Sequence, residues 1–175
     1  MSDEKVLSKE IAEQFLTDNG SVDLSEFTEI EHTAAESLSK YQGSLFLDGL
    51  TQLSDAAAES LNNFQGGYLG LGGLTVLSDA AILCCIANEE YDLPNVTDIT
   101  PKQIRLFGNG FNSEMFKLGI TKITKEQALA FSEFWWMELY LDEITELDDE
   151  TAEILADVKA DLSIGGVRTL SPRAA

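Results

Sequence analysis

Carboxylates and aromatic rings alternate with leucines at several places in this chain. Phe46 and Asp48 flank Leu47, Tyr68 precedes Leu69, Asp92 precedes Leu93, and Glu138, Tyr140 and Asp142 interleave with Leu139 and Leu141. Alternation at period two sends one set of side chains to each face of a strand. The polar set is then an acidic row with aromatic residues in it, suited to a basic peptide or to a Lys-rich and Arg-rich protein surface. The same row also reads as a solvated face, and both readings stand. A second candidate is the pair Trp135-Trp136 at a helix exit, inside the run Phe131–Tyr140. Earlier stretches carry Gln42-Gly43 and Gln65-Gly66 at that place. The two indoles either cover an edge of the fold or offer a partner an aromatic anchor.

Patterns for catalysis are poor. The single histidine, His32, stands in the first turn of an expected helix with no nucleophile placed to use it. Glu138 and Asp142 are spaced for acid–base or cation work, which keeps a small carboxylate- or cation-dependent hydrolase as a minor alternative. The glycines of Gly66–Gly73 resemble a phosphate loop only superficially, because they precede and span a strand rather than joining a strand to a helix. Cys84 and Cys85 are neighbours in a helix, Cys85 at an inward position, with nothing of ligand spacing around them. We expect no catalytic residue, cofactor or metal.

Charge narrows the partners. Thirty-one acidic residues against 11 basic ones give a formal net charge of −20. Phosphate contacts rest on Lys and Arg, so this balance opposes nucleic acid, and it opposes anionic membrane surfaces as well. It favours basic partners, including the case of an acidic inhibitor or immunity-type protein that covers a nucleic-acid enzyme with carboxylates. Solubility alone also accounts for it. The first five residues are polar, no apolar run is long enough to span a bilayer, and cytoplasm is the expected compartment. An effector exported without a cleaved signal would look identical.

The elements that position these residues follow from a repeat. Gly43–Ala57 and Gly67–Ala81 are nearly one sentence written twice, and their last apolar residue recurs as Ile30, Leu53, Leu77, Ile99, Ile123, Leu147 and Leu170. The intervals are 23, 24, 22, 24, 24 and 23 residues, a solenoid period. Ahead of each anchor lies a period-two strand, as in Leu45 and Leu47. Behind it stand helix caps at Ser54, Ser78, Thr100, Thr124 and Asp148. Apolar residues then follow at spacings of three and four, as in Ala58, Leu61 and Phe64. Each unit reads as strand, turn and helix, and short returns make the strands parallel.

Leu45, Leu47, Leu50, Leu53, Ser54 and Asp55 resemble the leucine-rich repeat, in its cysteine-containing subtype. The resemblance runs from about residue 9 to 170 and rests on repetition. It implies a right-handed α/β solenoid of about seven strand-turn-helix units, parallel strands on one face and helices on the other. It also implies protein binding through the strand face. In two respects the chain departs from the subtype. Its units are shorter, and Phe27, Leu50, Leu74, Val96, Ile120, Ile144 and Val167 stand where the family places the Cys or Asn of its buried polar ladder.

Residues 1–170 are expected to form one domain, with a capping unit at 1–30, a last unit at 148–170 and a frayed tail at 171–175. The capping unit is read as a helix through Ile11, Phe15 and Leu16, a turn at Asp18–Gly20 and a strand at Val22–Leu24. In the fifth unit Phe116 and Leu118 fall one residue out of phase, and a one-residue deletion restores register at Ile120. The open strand face then carries Asp23, Ser25, Ser44, Phe46, Asp48, Tyr68, Gly70, Gly72, Glu90, Asp92, Lys117, Glu138, Tyr140, Asp142, Asp161 and Ser163, and in the fifth unit Glu114.

Overall fold

The computed structural model describes residues 5–110 and 115–170. The chain is α/β: seven α-helices and four small sheets lie among the described residues, and every strand pair is parallel. It divides into two compact units, Met1–Glu90 and Tyr91–Ala175. The boundary falls in the fourth repeat of the sequence.

In the first unit, β1 (Val6–Leu7) pairs with β2 (Glu29–Ile30), and β3 (Leu45–Phe46) pairs with β4 (Leu69–Gly70), Leu45 opposite Leu69. Helices α1 (Lys9–Thr17), α2 (His32–Leu38), α3 (Asp55–Leu61) and α4 (Asp79–Ala87) pack in succession. Leu45, Leu47, Leu50, Leu69, Leu71 and Leu74 of the strands and turns are buried, as are Ala34, Ala35, Leu38, Ala57, Ala58 and Leu61 of the helices. Each buried leucine contributes roughly 1.5–3 kcal/mol. Small alanines on the helices let the leucines of the strands and turns fill the space between layers. Ser54 and Ser78 cap α3 and α4, accepting from Ala57 N and Ala81 N at 3.2 Å.

One expectation for this unit changes. Val22–Leu24 is no strand; Asp23 instead caps a 3-10 turn, Leu24–Glu26, through Ser25 N and Ser25 Oγ. A side-chain acceptor one residue before the apolar position competes with strand pairing for the backbone. Leu50 and Leu74 stand buried where the family places its polar ladder, and the threonines one residue on form a solvent-accessible ladder of their own. Thr51 N and Thr75 N donate to the carbonyls of Thr28 and Thr51, and the two threonine hydroxyls donate to the same oxygens at 3.3 and 3.1 Å. Each carbonyl thereby uses both lone pairs. The turn beside this ladder is tight: a Cβ on Gly73 would lie 1.9 Å from the Asp48 carbonyl oxygen.

Helix α4 ends with Glu89 at φ 56°, Glu90 N donating to Cys85 O and Glu89 N to Ile86 O. This is a Schellman ending in which glutamate takes the left-handed position glycine usually fills. Cys84 and Cys85 are both buried and unpaired.

The second unit holds a four-stranded sheet ordered β5 (Asp92–Leu93), β6 (Met115–Leu118), β7 (Trp135–Tyr140), β9 (Lys159–Ser163). A smaller pair joins β8 (Glu146–Leu147) to β10 (Thr169–Leu170). Helices α5 (Pro101–Gly110), α6 (Lys125–Ser132) and α7 (Asp149–Ala156) follow one another. Thr124 and Gln127 form a reciprocal capping box on α6, Thr100 accepts from Gln103 N, and Asp148 caps α7 through Thr151 N. Phe116 and Leu118 are buried, with Leu93 opposite Leu118, and Ile120 is buried two residues later, as the one-residue deletion predicts. The core here is aromatic. Tyr91, Phe107, Phe116, Phe131 and Trp136 are buried in mutual ring contact, Trp136 stacked on Phe116 at 5.1 Å. In the last repeat Leu162, Ile164 and Val167 are only half-buried, whereas Leu139, Leu141 and Ile144 are fully buried.

Candidate functional site

The strand-face residues form one patch in each unit. In the first, Phe46 is 57% and Tyr68 46% exposed, with ring centroids 5.8 Å apart. The Tyr68 hydroxyl donates to Glu90 Oε2 at 2.9 Å, and Leu71 N donates to the same oxygen at 3.3 Å. Glu90 is therefore buried beneath the ring that covers it, and it leaves the set of open-face residues. A carboxylate leaves water when hydrogen bonds replace its hydration, and Tyr68 with the strand amide supplies two of them. Asp48 stays exposed and accepts from Gly72 N at 3.2 Å. Ser44 Oγ accepts from Tyr68 N at 3.2 Å. The glycine-rich run Gly66–Gly73 spans β4, so its backbone is used by the sheet.

Across the four-stranded sheet, Asp92, Lys117, Tyr140 and Ser163 stand in register on adjacent strands, and Met115, Glu138 and Asp161 form the next row. Lys117 Nζ lies 3.5 Å from Asp92 Oδ1. The Tyr140 hydroxyl donates to Glu138 Oε2 at 2.8 Å; that bond and the charges of Glu138, Asp142 and Asp161 raise the phenol's pKa. Asp142 accepts from Ser163 Oγ at 2.5 Å and from Gly165 N at 2.8 Å, and these two bonds hold its carboxyl below the ordinary value. At neutral pH Asp142 is ionised and Tyr140 protonated, an arrangement that attracts cations. Glu114 lies outside the described residues.

The tryptophan pair separates. Trp135 is 78% exposed, whereas Trp136 is fully buried with Nε1 donating to Phe131 O at 2.8 Å. A register shift between Trp135 and Glu138 adds one residue to β7 relative to β9. Bulges of this kind reverse the facing of the residues before them. Trp136 and Leu139, three apart, both point inward, and Trp136 drops out of the partner-facing candidates. Met137, 56% exposed, joins Trp135 on the surface. The sequence reading placed the pair at a turn because earlier repeats have Gln-Gly there; the strand starts earlier in this repeat.

Elsewhere the chemistry is quiet. His32 is exposed. Burial pushes the Cys84 thiol up to about 12, with the Asn88 amide pulling weakly the other way, and burial raises Cys85 well above its ordinary value. Among the described residues no group of three or more His, Cys, Asp or Glu side chains could hold a metal ion, and no helix is long and apolar enough to cross a membrane. On the helix side, Arg105 and Glu133 form a bidentate pair at 2.7–3.1 Å, and Lys125 pairs with Glu150.

One feature of the first unit escaped the sequence reading. An open cleft of about 420 Å³ is lined by Phe15, Tyr41, Phe46, Asn19, Asp23 and Ser44 together with Val22 and Leu24. Its residues come from different elements of the first two repeats, so no spacing pattern links them. No protein-family model, no curated protein and no solved structure matches this chain.

Proposed function

We propose that this chain is a non-enzymatic, cytosolic protein-interaction module that engages a basic partner through its acidic strand face. In this reading it is a right-handed solenoid of leucine-rich-like repeats. The repeats present many short strands side by side, and a partner meets their outward residues without rearranging backbone. The observation that carries the reading is the arrangement of Tyr140, Glu138, Asp142 and Asp161, a protonated phenol among carboxylates on one sheet face. Phe46, Tyr68 and Asp48 repeat that combination in the first unit, and Trp135 adds an exposed ring in the second. The threonine ladder supports the repeat architecture, since it places equivalent residues of the first repeats over one another.

Titration of a labelled Lys- and Arg-rich peptide with the whole chain tests the reading. Affinity is expected to fall steeply as salt rises from about 50 to about 300 mM, because the Debye length shrinks over that range. No binding at low salt, or binding indifferent to salt, contradicts it.

A further inference from the structure

The cleft beside the first strand-face patch combines side chains that no other described cleft brings together. Three aromatic residues line it. Phe15 is buried and meets the half-buried Tyr41 ring edge to face at 5.3 Å, with the planes 70° apart, and Phe46 leaves 57% of its surface uncovered. One carboxylate lines it as well, that of Asp23. Its Oδ1 accepts from Ser25 N at 3.0 Å and from Ser25 Oγ at 2.6 Å, which fixes the exposed side chain and engages that oxygen twice. Those two bonds, the hydroxyl's first, also keep the carboxyl below its ordinary pKa. Asn19 Nδ2 donates to the Tyr41 hydroxyl at 3.1 Å and so orients that ring.

Aromatic faces attract cations through the ring quadrupole, and alkylated ammonium groups suit such walls because they bring methyl surface along with charge. A guanidinium prefers both oxygens of a carboxylate. Oδ1 of Asp23 already accepts two hydrogen bonds, which opposes bidentate pairing and favours an ammonium head. The cleft volume exceeds a single ammonium head and accommodates a lysine side chain with its methyl groups.

We infer that this cleft binds the ammonium head of a partner lysine, with N-methylated lysine preferred, against the rings of Tyr41 and Phe46 and beside Asp23. The inference rests on the basic-partner reading and names the side chain that such a partner inserts. It concerns the first unit alone.

The test records amide chemical shifts of the full chain against three probes: Nα-acetyl-trimethyllysine amide, Nα-acetyl-lysine amide, and the neutral analogue with carbon in place of the quaternary nitrogen. The trimethylated probe is expected to bind tightest and the neutral analogue weakest, with shifts at Asn19, Ser25 and Ser44. Phe46→Leu, which keeps apolar bulk and removes the ring, and Asp23→Asn, which keeps the Ser25 acceptor and removes the charge, should each weaken the trimethylated probe about three- to tenfold. Glu59→Gln, on the exposed side of α3, should leave it unchanged. Equal binding of the neutral analogue would make this an apolar cleft and overturn the inference; so would absent shifts at those amides with saturating probe. The outcomes also separate the two readings. Peptide binding retained with no probe binding removes only the cleft, and probe binding retained without salt-sensitive peptide binding removes only the acidic-face reading.

Discussion

The two compact units share a sequence period yet bury different side chains. In the first unit leucines meet alanines and Cys85, the turns carry glycine, and threonine hydroxyls double the backbone ladder. In the second unit Tyr91, Phe107, Phe116, Phe131 and Trp136 fill the core, and a bulge in β7 admits the indole. Large rings fill more volume per residue, so strand register must adapt to place them. Small side chains keep the register regular and leave stacking to close backbone approach. Regularity and irregularity thus have a common physical source, the size of what must be packed.

The comparison breaks first at Trp136. Trp136→Ala removes a fully buried ring with a satisfied N–H, and should cost about 3–5 kcal/mol in urea unfolding. Trp135→Ala, one residue away and exposed, should stay within about 0.5 kcal/mol. Equal effects would mean that the bulge is misplaced. In the first unit the corresponding weak point is a turn: Gly73→Ala drives a methyl into the Asp48 carbonyl and should cost about 1–3 kcal/mol, read as a lowered midpoint. Smaller still is Thr51→Val, which removes one hydroxyl bond to Thr28 O but keeps the backbone bond. A loss of about 0.5–1.5 kcal/mol is expected, and no loss would show that the hydroxyl ladder adds nothing.

The cysteines give the smallest effect over ordinary pH. Since the folded Cys84 thiol is raised to about 12 from an ordinary value of 9.0, the unfolded state loses its proton first. The associated stability is fully present below pH 9 and is lost as pH rises through about 12. Below that window a thiol reagent should label neither cysteine in the native protein and both after unfolding. Labelling of the native protein at pH 8 would contradict their burial.

Much of this was legible in the chain. The anchor spacing, the five caps and the inward pairs Leu45 and Leu47, Leu69 and Leu71, and Leu139 and Leu141 follow from periodicity, which reports directly on which face is buried. Threonine recurs at 28, 51, 75, 97, 121 and 145, one place beyond the family's Cys or Asn position, but that period does not say which backbone carbonyl each hydroxyl meets. Glu90 was misassigned because alternation cannot know that a tyrosine 22 residues earlier will cover a carboxylate. The facing of Trp136 depends on a bulge, whose presence is decided by the neighbouring strand, and Asp23 turned the backbone away from the strand that Val22 and Leu24 suggested. The cleft joins residues from different elements, a relation that period and spacing do not encode.

The most direct measurement compares two matched double variants in the peptide titration. Asp48→Asn with Asp142→Asn removes two charges from the strand face while keeping the acceptor oxygens used by Gly72 N and Gly165 N. Glu59→Gln with Glu153→Gln removes two charges from exposed helix positions. The account predicts weakened binding and a shallower salt dependence in the first variant alone, with both variants as stable as the parent. Equal weakening in both would mean that total charge, rather than the strand face, attracts the peptide, and would contradict the account.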